Sequence, residues 1–421
     1  MNKEESAYFP SINNVNAAAK TISKVSTVTP LSHSLRYSKH FGANVFLKRE
    51  DLQQVRSYKI RGAYNKISSL TKEESQSGVV CASAGNHAQG VALSCKLLKI
   101  KGTIYMPAPT PNQKVEQVKM FGEDFIEIKL EGDTFDDSFH AAMHECNELG
   151  KTFIHPFNDK KVIEGQATIG LEIIEQSSTP VDYVFIAIGG GGLAAGLSTV
   201  FKSLSPNTKI IGVEPAGAAS MKTSIKNNKN TELDTIEKFI DGAAVKRVGD
   251  LNFTICKQNL DDIVLVPEGK VCESILELYN KDAIVVEPAG ALSISALDFY
   301  ANKIKGKNVV CVVSGSNNDI TRTAEIKERA LLYANLKHYF IINFPQRAGA
   351  LKEFVVDILG ENDDITYFQY AKKTNRENGS AVVGVQLKSA SDLEPLITKM
   401  KQRNFYGDYL NNKPDLFQFL V

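Results

Sequence analysis

Three short segments of this chain, residues 181–188, 210–213 and 309–313, are almost continuously apolar. A strand that is apolar on both faces is typical of a parallel sheet with helices on both sides. Further strand-like segments alternate with helix-like segments up to about residue 330. The sequence therefore predicts an α/β fold with two open sheets in this part of the chain.

The pattern changes after residue 334. Strand-like and helix-like segments then follow in the order β-α-β-β-α-β, at residues 338–343, 351–359, 365–371, 381–387, 392–403 and 405–410. This order is that of the split βαβ arrangement. We therefore predict one large domain at residues 1–334 and a small α+β domain at residues 335–421.

The composition argues against several classes of partner. The 421 residues are 43% hydrophobic and 23% charged, and a formal net charge of +1 gives no reason to expect nucleic acid or an anionic membrane. No apolar run reaches the ~20 residues that cross a bilayer, and the first residues lack the apolar core of a signal peptide. The six cysteines form no C-x-x-C pair, which favours a reducing cytoplasm.

A run of four glycines follows the apolar segment 181–188 and precedes a predicted helix. Free N–H groups at a helix N-terminus bind phosphate, and glycines let the backbone approach it closely. The candidate phosphate-binding residues are Gly189, Gly190, Gly191, Gly192 and Leu193.

The same segment also fits the dinucleotide pattern G-x-G-x-x-A, through Gly190, Gly192 and Ala195. Glu214, at the end of the next strand-like segment, would then bind a ribose. The glycines alone therefore leave open an NAD-linked oxidoreductase.

A loop of small residues lies between a predicted strand at 79–81 and a predicted helix at 88–98. The helix N-terminus suits an anion, and a substrate carboxylate is the natural candidate. The candidate substrate-binding residues are Ser83, Ala84, Gly85, Asn86 and His87. We also expect Asn86 to contact a cofactor oxygen, and His87 to be a packing residue rather than a general base.

Two further residues identify the cofactor class. Lys59 stands at a predicted strand-to-helix junction, and a desolvated lysine can form a Schiff base with an aldehyde. Ser314 ends the apolar segment 309–313, where its hydroxyl could bond a pyridine nitrogen. With the glycines and Asn86, these residues predict a site for pyridoxal 5′-phosphate (PLP), whereas a nicotinamide site needs neither Lys59 nor Asn86. A serine partner leaves the ring a weak electron sink, which suits elimination better than transamination.

In this order, the motifs resemble those of the threonine/serine dehydratase family of fold-type II PLP enzymes over about residues 20–330. Shorter matches lie at residues 29–31, 48–52, 106–107, 155–157 and 287–290, although Ala167 replaces a usual glycine. The resemblance implies a tryptophan synthase β-like fold, with a smaller subdomain at roughly residues 60–156 inserted in the larger one. It also implies that Lys59 is the catalytic, cofactor-bound lysine.

Residues 343–351 resemble the signature of ACT-like domains, which bind amino acids as allosteric effectors, with Gln346 and Ala348 in place of Glu and Pro. A dehydratase with one such domain resembles the biosynthetic threonine deaminases. The resemblance implies conversion of L-threonine to 2-oxobutanoate and ammonia as the first step of isoleucine biosynthesis, with a side activity on L-serine. It further implies feedback inhibition by isoleucine and a homotetramer or dimer.

Three alternatives remain open at this point besides the dinucleotide enzyme: PLP-dependent β-replacement, threonine synthesis and a non-catalytic amino-acid sensor. Residues 214–220 resemble the divalent-metal segment of serine racemases, but Ser220 stands where their second carboxylate would be. Since hard cations prefer charged oxygen ligands, we predict no metal site.

Overall fold

The computed structural model describes residues 8–370 and 378–413. The chain divides into two compact units, Met1–Asp319 and Ile320–Val421. This division falls before the boundary predicted near residue 335. The reason is a helix, Thr323–Tyr333, that packs on the first strand of the second unit, where Tyr339 donates a hydrogen bond to Glu328 at 2.7 Å.

Ten strands of the first unit form two sheets. They are β1 (Leu31–His33), β2 (Asn44–Arg49), β3 (Val79–Ala82), β4 (Gly102–Met106), β5 (Ile126–Leu130), β6 (Thr152–Phe153), β7 (Tyr183–Ala187), β8 (Lys209–Pro215), β9 (Asp262–Val266) and β10 (Asn308–Val313). The larger sheet has the order β1-β2-β10-β7-β8-β9, and only its edge strand β1 is antiparallel. The smaller sheet has the order β5-β4-β3-β6 and is parallel throughout.

Helices connect these strands. They are α1 (Ile12–Ile22), α2 (Leu35–Phe41), α3 (Lys59–Ile67), α4 (Lys72–Ser77), α5 (Asn86–Leu98), α6 (Asn112–Gly122), α7 (Phe135–Leu149), α8 (Lys160–Gln176), α9 (Gly192–Leu204), α10 (Ser220–Lys226), α11 (Asp250–Asn259), α12 (Glu268–Asp282), α13 (Pro288–Ser295) and α14 (Ala301–Ile304). Val184, Phe185 and Ile186 of β7 are fully buried, as expected for a parallel strand covered on both faces. The predicted fold of two open α/β sheets is thereby confirmed.

The topology brings the candidate residues to the ends of strands. Residues 83–87 follow β3, the four glycines follow β7, and Ser314 follows β10. In open α/β sheets, ligands bind outside the carboxyl ends of the strands. The six cysteines are free and buried, as is common for unpaired cysteine side chains.

The second unit contains one antiparallel sheet, with the order β12-β13-β11-β14. Its elements are α15 (Thr323–Tyr333), β11 (Lys337–Pro345), α16 (Ala350–Glu353), β12 (Asp364–Tyr370), β13 (Asn378–Gln386), α17 (Leu393–Gln402) and β14 (Tyr406–Tyr409). From β11 onward, the predicted β-α-β-β-α-β order is found. A π-helical segment, Phe354–Ile358, continues α16, and the core includes the buried rings of Phe340 and Phe405.

The last residue of the predicted strand at 365–371 lies outside the described residues. Within the part of the chain that the structure describes, we find no helix with the length and apolar character needed to span a membrane.

Candidate active site

The Lys59 side chain begins α3 and is half-buried, with its Nζ 3.0 Å from the carbonyl oxygen of Pro156. Burial lowers the pKa of Lys59 to about 8, although the negative charge of Glu287 partly opposes this effect. A larger fraction of this amine is therefore unprotonated near neutral pH than in an ordinary lysine. The unprotonated amine is the form that attacks an aldehyde.

Lys59 lines a pocket that is formed by residues from distant parts of the sequence. The pocket is lined by Tyr58, Lys59, Asn86, Ala187, Gly189, Leu193, Gly242, Ala243, Glu287, Ala289 and Ser314. Five of these, Lys59, Asn86, Gly189, Leu193 and Ser314, are predicted cofactor residues. The other predicted residues, Gly190, Gly191, Gly192, Ser83, Ala84, Gly85 and His87, belong to the loops that carry the lining residues.

The glycine loop leaves almost no room for side chains. A Cβ on Gly190 would lie 2.2 Å from the ring of Phe157, and one on Gly189 would lie 3.0 Å from the Cα of Ala243. Gly191 has φ +90°, a left-handed conformation that favours glycine, and α9 begins at the next residue. The loop thus brings bare backbone and a helix N-terminus to the pocket, which suits a phosphate group.

In the segment at residues 83–87, the loop ends at Gly85, and Asn86 and His87 already belong to the first turn of α5. The Asn86 Nδ2 donates a 2.6 Å hydrogen bond to the Glu287 carboxylate, and its Oδ1 accepts a 2.6 Å hydrogen bond from Asn317. Ser83 Oγ accepts a hydrogen bond from the N–H of Gly85 at 3.3 Å. This loop therefore presents the first turn of α5 beside the pocket.

His87 is buried and turned toward the backbone. Its Nε2 lies 2.8 Å from the carbonyl oxygen of Ile154. Burial, together with the charge of Lys59, lowers the pKa of His87 to about 3. A neutral, hydrogen-bonded imidazole of this kind is suited to packing rather than to proton transfer.

Ser314 is buried at the end of β10, and its Oγ donates a 3.2 Å hydrogen bond to the carbonyl oxygen of Ala289. Its own carbonyl oxygen accepts a hydrogen bond from the N–H of Tyr58 at 3.2 Å. This contact ties the residue before Lys59 to the end of β10. The two predicted cofactor residues are consequently held together by the backbone.

Glu287 is a charged residue of the pocket to which the sequence motifs assigned no role. It precedes α13, and it is buried. Burial raises the pKa of Glu287 to about 7, and repulsion from Asp241 adds to this effect. The signal for this residue was present in the resemblance at residues 287–290, but the sequence did not show which side chain it faces.

A buried group of charges fixes the helix that carries Lys59. The Arg61 guanidinium donates to Glu50 at 2.8 Å and to Glu172 at 2.6 Å. Lys48 Nζ donates to Glu172 at 2.5 Å and to the carbonyl oxygen of Thr29 at 2.6 Å. The resemblance segments at residues 29–31 and 48–52 and the lysine motif thus meet in one ionic cluster beneath α3.

Glu214, the ribose-binding acid of the dinucleotide interpretation, is engaged elsewhere. Its carboxylate accepts hydrogen bonds from the N–H groups of Met221 at 2.6 Å and Lys222 at 2.9 Å, at the start of α10. This position contradicts the dinucleotide interpretation. Ser220 Oγ donates to the carbonyl oxygen of Val245, and within residues 8–370 and 378–413 no cluster of three or more metal-ligating side chains occurs.

The pocket therefore offers two groups that suit a phosphate ester bearing an aldehyde. The amine of lowered pKa can react with the aldehyde, and the N–H groups of the glycine-lined helix N-terminus can bind the phosphate. Residues 22–315 match the family described as pyridoxal-phosphate dependent enzyme, and residues 328–420 match the C-terminal regulatory domain of threonine dehydratase. Biosynthetic L-threonine dehydratases are 54% identical to this chain over 97% of its length, so the chain belongs to the threonine dehydratase family. As a PLP-dependent member of this family it is a lyase, and the predicted cofactor is confirmed.

Relatives of the threonine dehydratase family match nearly the whole chain. The biosynthetic L-threonine dehydratase of Halalkalibacterium halodurans is 54% identical over 410 residues, which cover 97% of this chain and 99% of that one. The corresponding protein of Bacillus subtilis is also 54% identical over 410 residues, with 97% of each chain covered. Both units of this chain therefore have counterparts in those biosynthetic dehydratases.

Solved structures are similar over the larger part of the chain. The processed form of threonine deaminase isoform 2 from Solanum lycopersicum has a TM-score of 0.72 and 39% identity, covering 77% of this chain and 90% of that one. Maize serine racemase has a TM-score of 0.71 and 30% identity, covering 77% of this chain and 99% of that one.

Proposed function

We propose that this chain deaminates L-threonine to 2-oxobutanoate and ammonia by β-elimination, with a side activity on L-serine. The observation that carries the proposal is the pocket in which Lys59 meets Asn86, Ser314 and the glycine loop. The high identity to biosynthetic L-threonine dehydratases supports threonine as the substrate. β-Replacement, threonine synthesis and a non-catalytic sensor have no observation of their own in their favour.

Each candidate residue has a role in this proposal. When bound, PLP supplies an electron sink for bonds broken at the substrate Cα. Lys59 would hold the cofactor, and its free amine takes the proton from Cα. The N–H groups of residues 189–193 would bind the phosphate, and the Ser314 hydroxyl would donate a hydrogen bond to the pyridine nitrogen. Residues 83–87 hold the substrate carboxylate at the start of α5.

We further propose that residues 335–421 form a regulatory domain that binds isoleucine and lowers the activity of a catalytic domain at residues 1–334, in which residues 60–156 form the smaller subdomain. The family match over residues 328–420 and the β-α-β-β-α-β order of elements support this proposal. Inhibition requires that isoleucine bind two states of the protein with different affinity. A homotetramer or dimer in the cytoplasm, acting in isoleucine biosynthesis, completes the proposal.

The experiment follows 2-oxobutanoate release from L-threonine by the purified, PLP-loaded chain, with and without isoleucine. We expect ammonia and 2-oxobutanoate in equal amounts, and a lower rate in the presence of isoleucine. The same assay with L-serine should yield pyruvate. Product formation that requires an added thiol or phosphorylated substrate would contradict β-elimination. Equal rates with and without isoleucine would contradict the regulatory half alone.

A further inference from the structure

The amide of Asn86 is held at both ends. Its Nδ2 donates to Glu287, and its Oδ1 accepts from Asn317 Nδ2, which also lies 3.0 Å from the Oε1 of Gln89. Glu287 and Asn86 are 201 residues apart in the sequence, and both line the pocket that contains Lys59. The orientation of the Asn86 amide therefore depends on a carboxylate inside the cofactor site.

The structure gives the Glu287 carboxylate a closely fitted place. A Cβ on Gly315 would lie 2.3 Å from Glu287 Oε1. Glycine at position 315 is thus what leaves room for this oxygen. Such an enclosed carboxylate is shielded from water, and its charge is balanced only by what faces it.

The charged groups that face Glu287 are of both signs. Asp241 repels the ionised carboxylate, while Lys59 of α3 and Lys114 of α6 attract it. The phenol of Tyr58 also faces this pocket, and burial and the charge of Glu287 raise its pKa, so it stays neutral. Lys114 also pairs with Asp241 at 2.8 Å, so the two partly cancel. With the Asn86 hydrogen bond, these groups leave the pKa of Glu287 raised to about 7, chiefly by burial.

We propose that Glu287 is a positioning residue of the cofactor site, which fixes the Asn86 amide and takes up a proton from solvent when an anionic cofactor binds. A phosphate monoester carries about −1.5 to −2 charges at neutral pH. When this charge enters the pocket, it repels the ionised Glu287 carboxylate. Protonation of Glu287 removes this repulsion. The inference rests on the proposed roles of Lys59, Asn86 and the glycine loop.

The test compares cofactor binding by Lys59→Ala and by Lys59→Ala/Glu287→Gln. The Lys59→Ala background removes the titration of the lysine itself, and glutamine keeps the shape of a protonated glutamate. The ligand is pyridoxine 5′-phosphate, which has an alcohol in place of the aldehyde and forms no imine. Its affinity is measured by titration calorimetry from about pH 6 to about pH 9.

We expect equal affinities at the acid end of this range. Above the pKa of Glu287, each binding event must take up a proton, so the affinity of the glutamate protein should fall relative to the glutamine protein. The fall approaches about tenfold per pH unit. A ratio of affinities that stays constant with pH would overturn the inference and leave the proposed function intact. Absence of binding to both proteins at every pH would contradict both.

Two variants at the rim leave Glu287 in place and guard against a glutamine variant that fails to fold. In the Lys59→Ala background, Asp241→Asn removes a repelling charge and should move the onset of the fall in affinity to lower pH. Lys114→Gln removes an attracting charge and should move the onset to higher pH. If both variants moved the onset pH in the same direction, or if neither moved it, Glu287 would not be the titrating group.

Discussion

The Lys59→Ala variant is expected to lose threonine turnover by more than about 10³-fold, because it removes both the attachment point of the cofactor and the base that takes the substrate proton. The loss should persist at saturating PLP and substrate, since binding alone does not restore the amine. The measurement is the rate of 2-oxobutanoate release by the PLP-incubated variant.

A second lysine in the same helix provides the control. Lys66 also belongs to α3, but its Nζ pairs with Asp159 at 2.9 Å and it does not line the pocket. Lys66→Ala should retain turnover, because it removes one ion pair outside the pocket and leaves the pocket residues in place. Comparable loss in the Lys66 and Lys59 variants would show that α3 is merely sensitive to substitution. Turnover retained by Lys59→Ala would exclude the assigned role.

The second large effect is expected for Arg61→Ala, which should destabilise the protein by about 3–5 kcal/mol. Arg61 is 1% exposed and Glu50 is fully buried. Burial by itself would raise the pKa of Glu50, but the Arg61 guanidinium outweighs it and holds the pKa below its usual value. Removing the guanidinium leaves the buried Glu50 carboxylate without its ion-pair partner, so the loss of stability follows from the desolvation of that charge. Chemical denaturation of the apo-protein, followed by circular dichroism, measures it.

The deficit should depend on pH. In the variant, burial raises the pKa of Glu50, so the folded protein favours the protonated acid and loses stability as pH rises. The difference from wild type is therefore largest near neutral pH and smaller in acid. Arg247→Ala is the matched control, because Arg247 pairs with Asp250 in a half-exposed setting and should contribute little. Equal denaturation midpoints for the wild type and Arg61→Ala would contradict the assigned role of the buried cluster.

The parts of the site that the sequence predicted are those marked by local chain geometry. Lys59, Asn86 and the glycine run each lie at the start of a helix, and Ser314 lies at the end of an apolar strand. Such junctions can be recognised from apolar periodicity and from small residues in a window of about ten residues. Asn86 follows a strand of the smaller sheet, whereas the glycines and Ser314 follow strands of the larger sheet, so the pocket draws on both sheets.

The parts that the sequence did not predict depend on contacts across long stretches of chain. Neither the hydrogen bond from Asn86 to Glu287 nor the cluster around Arg61 leaves a periodic pattern in the sequence. Glu214 illustrates the opposite error, because its spacing from the glycines suited a ribose ligand while its carboxylate in fact caps α10.

The most direct test of the central claim is to reduce the PLP-loaded protein with borohydride and locate the modified residue by peptide mass spectrometry. We predict loss of the visible absorption of the bound cofactor, loss of threonine turnover, and a phosphopyridoxyl group on the peptide that contains Lys59. A modification at another lysine, or full turnover after complete reduction, would contradict the assignment of this pocket as the active site.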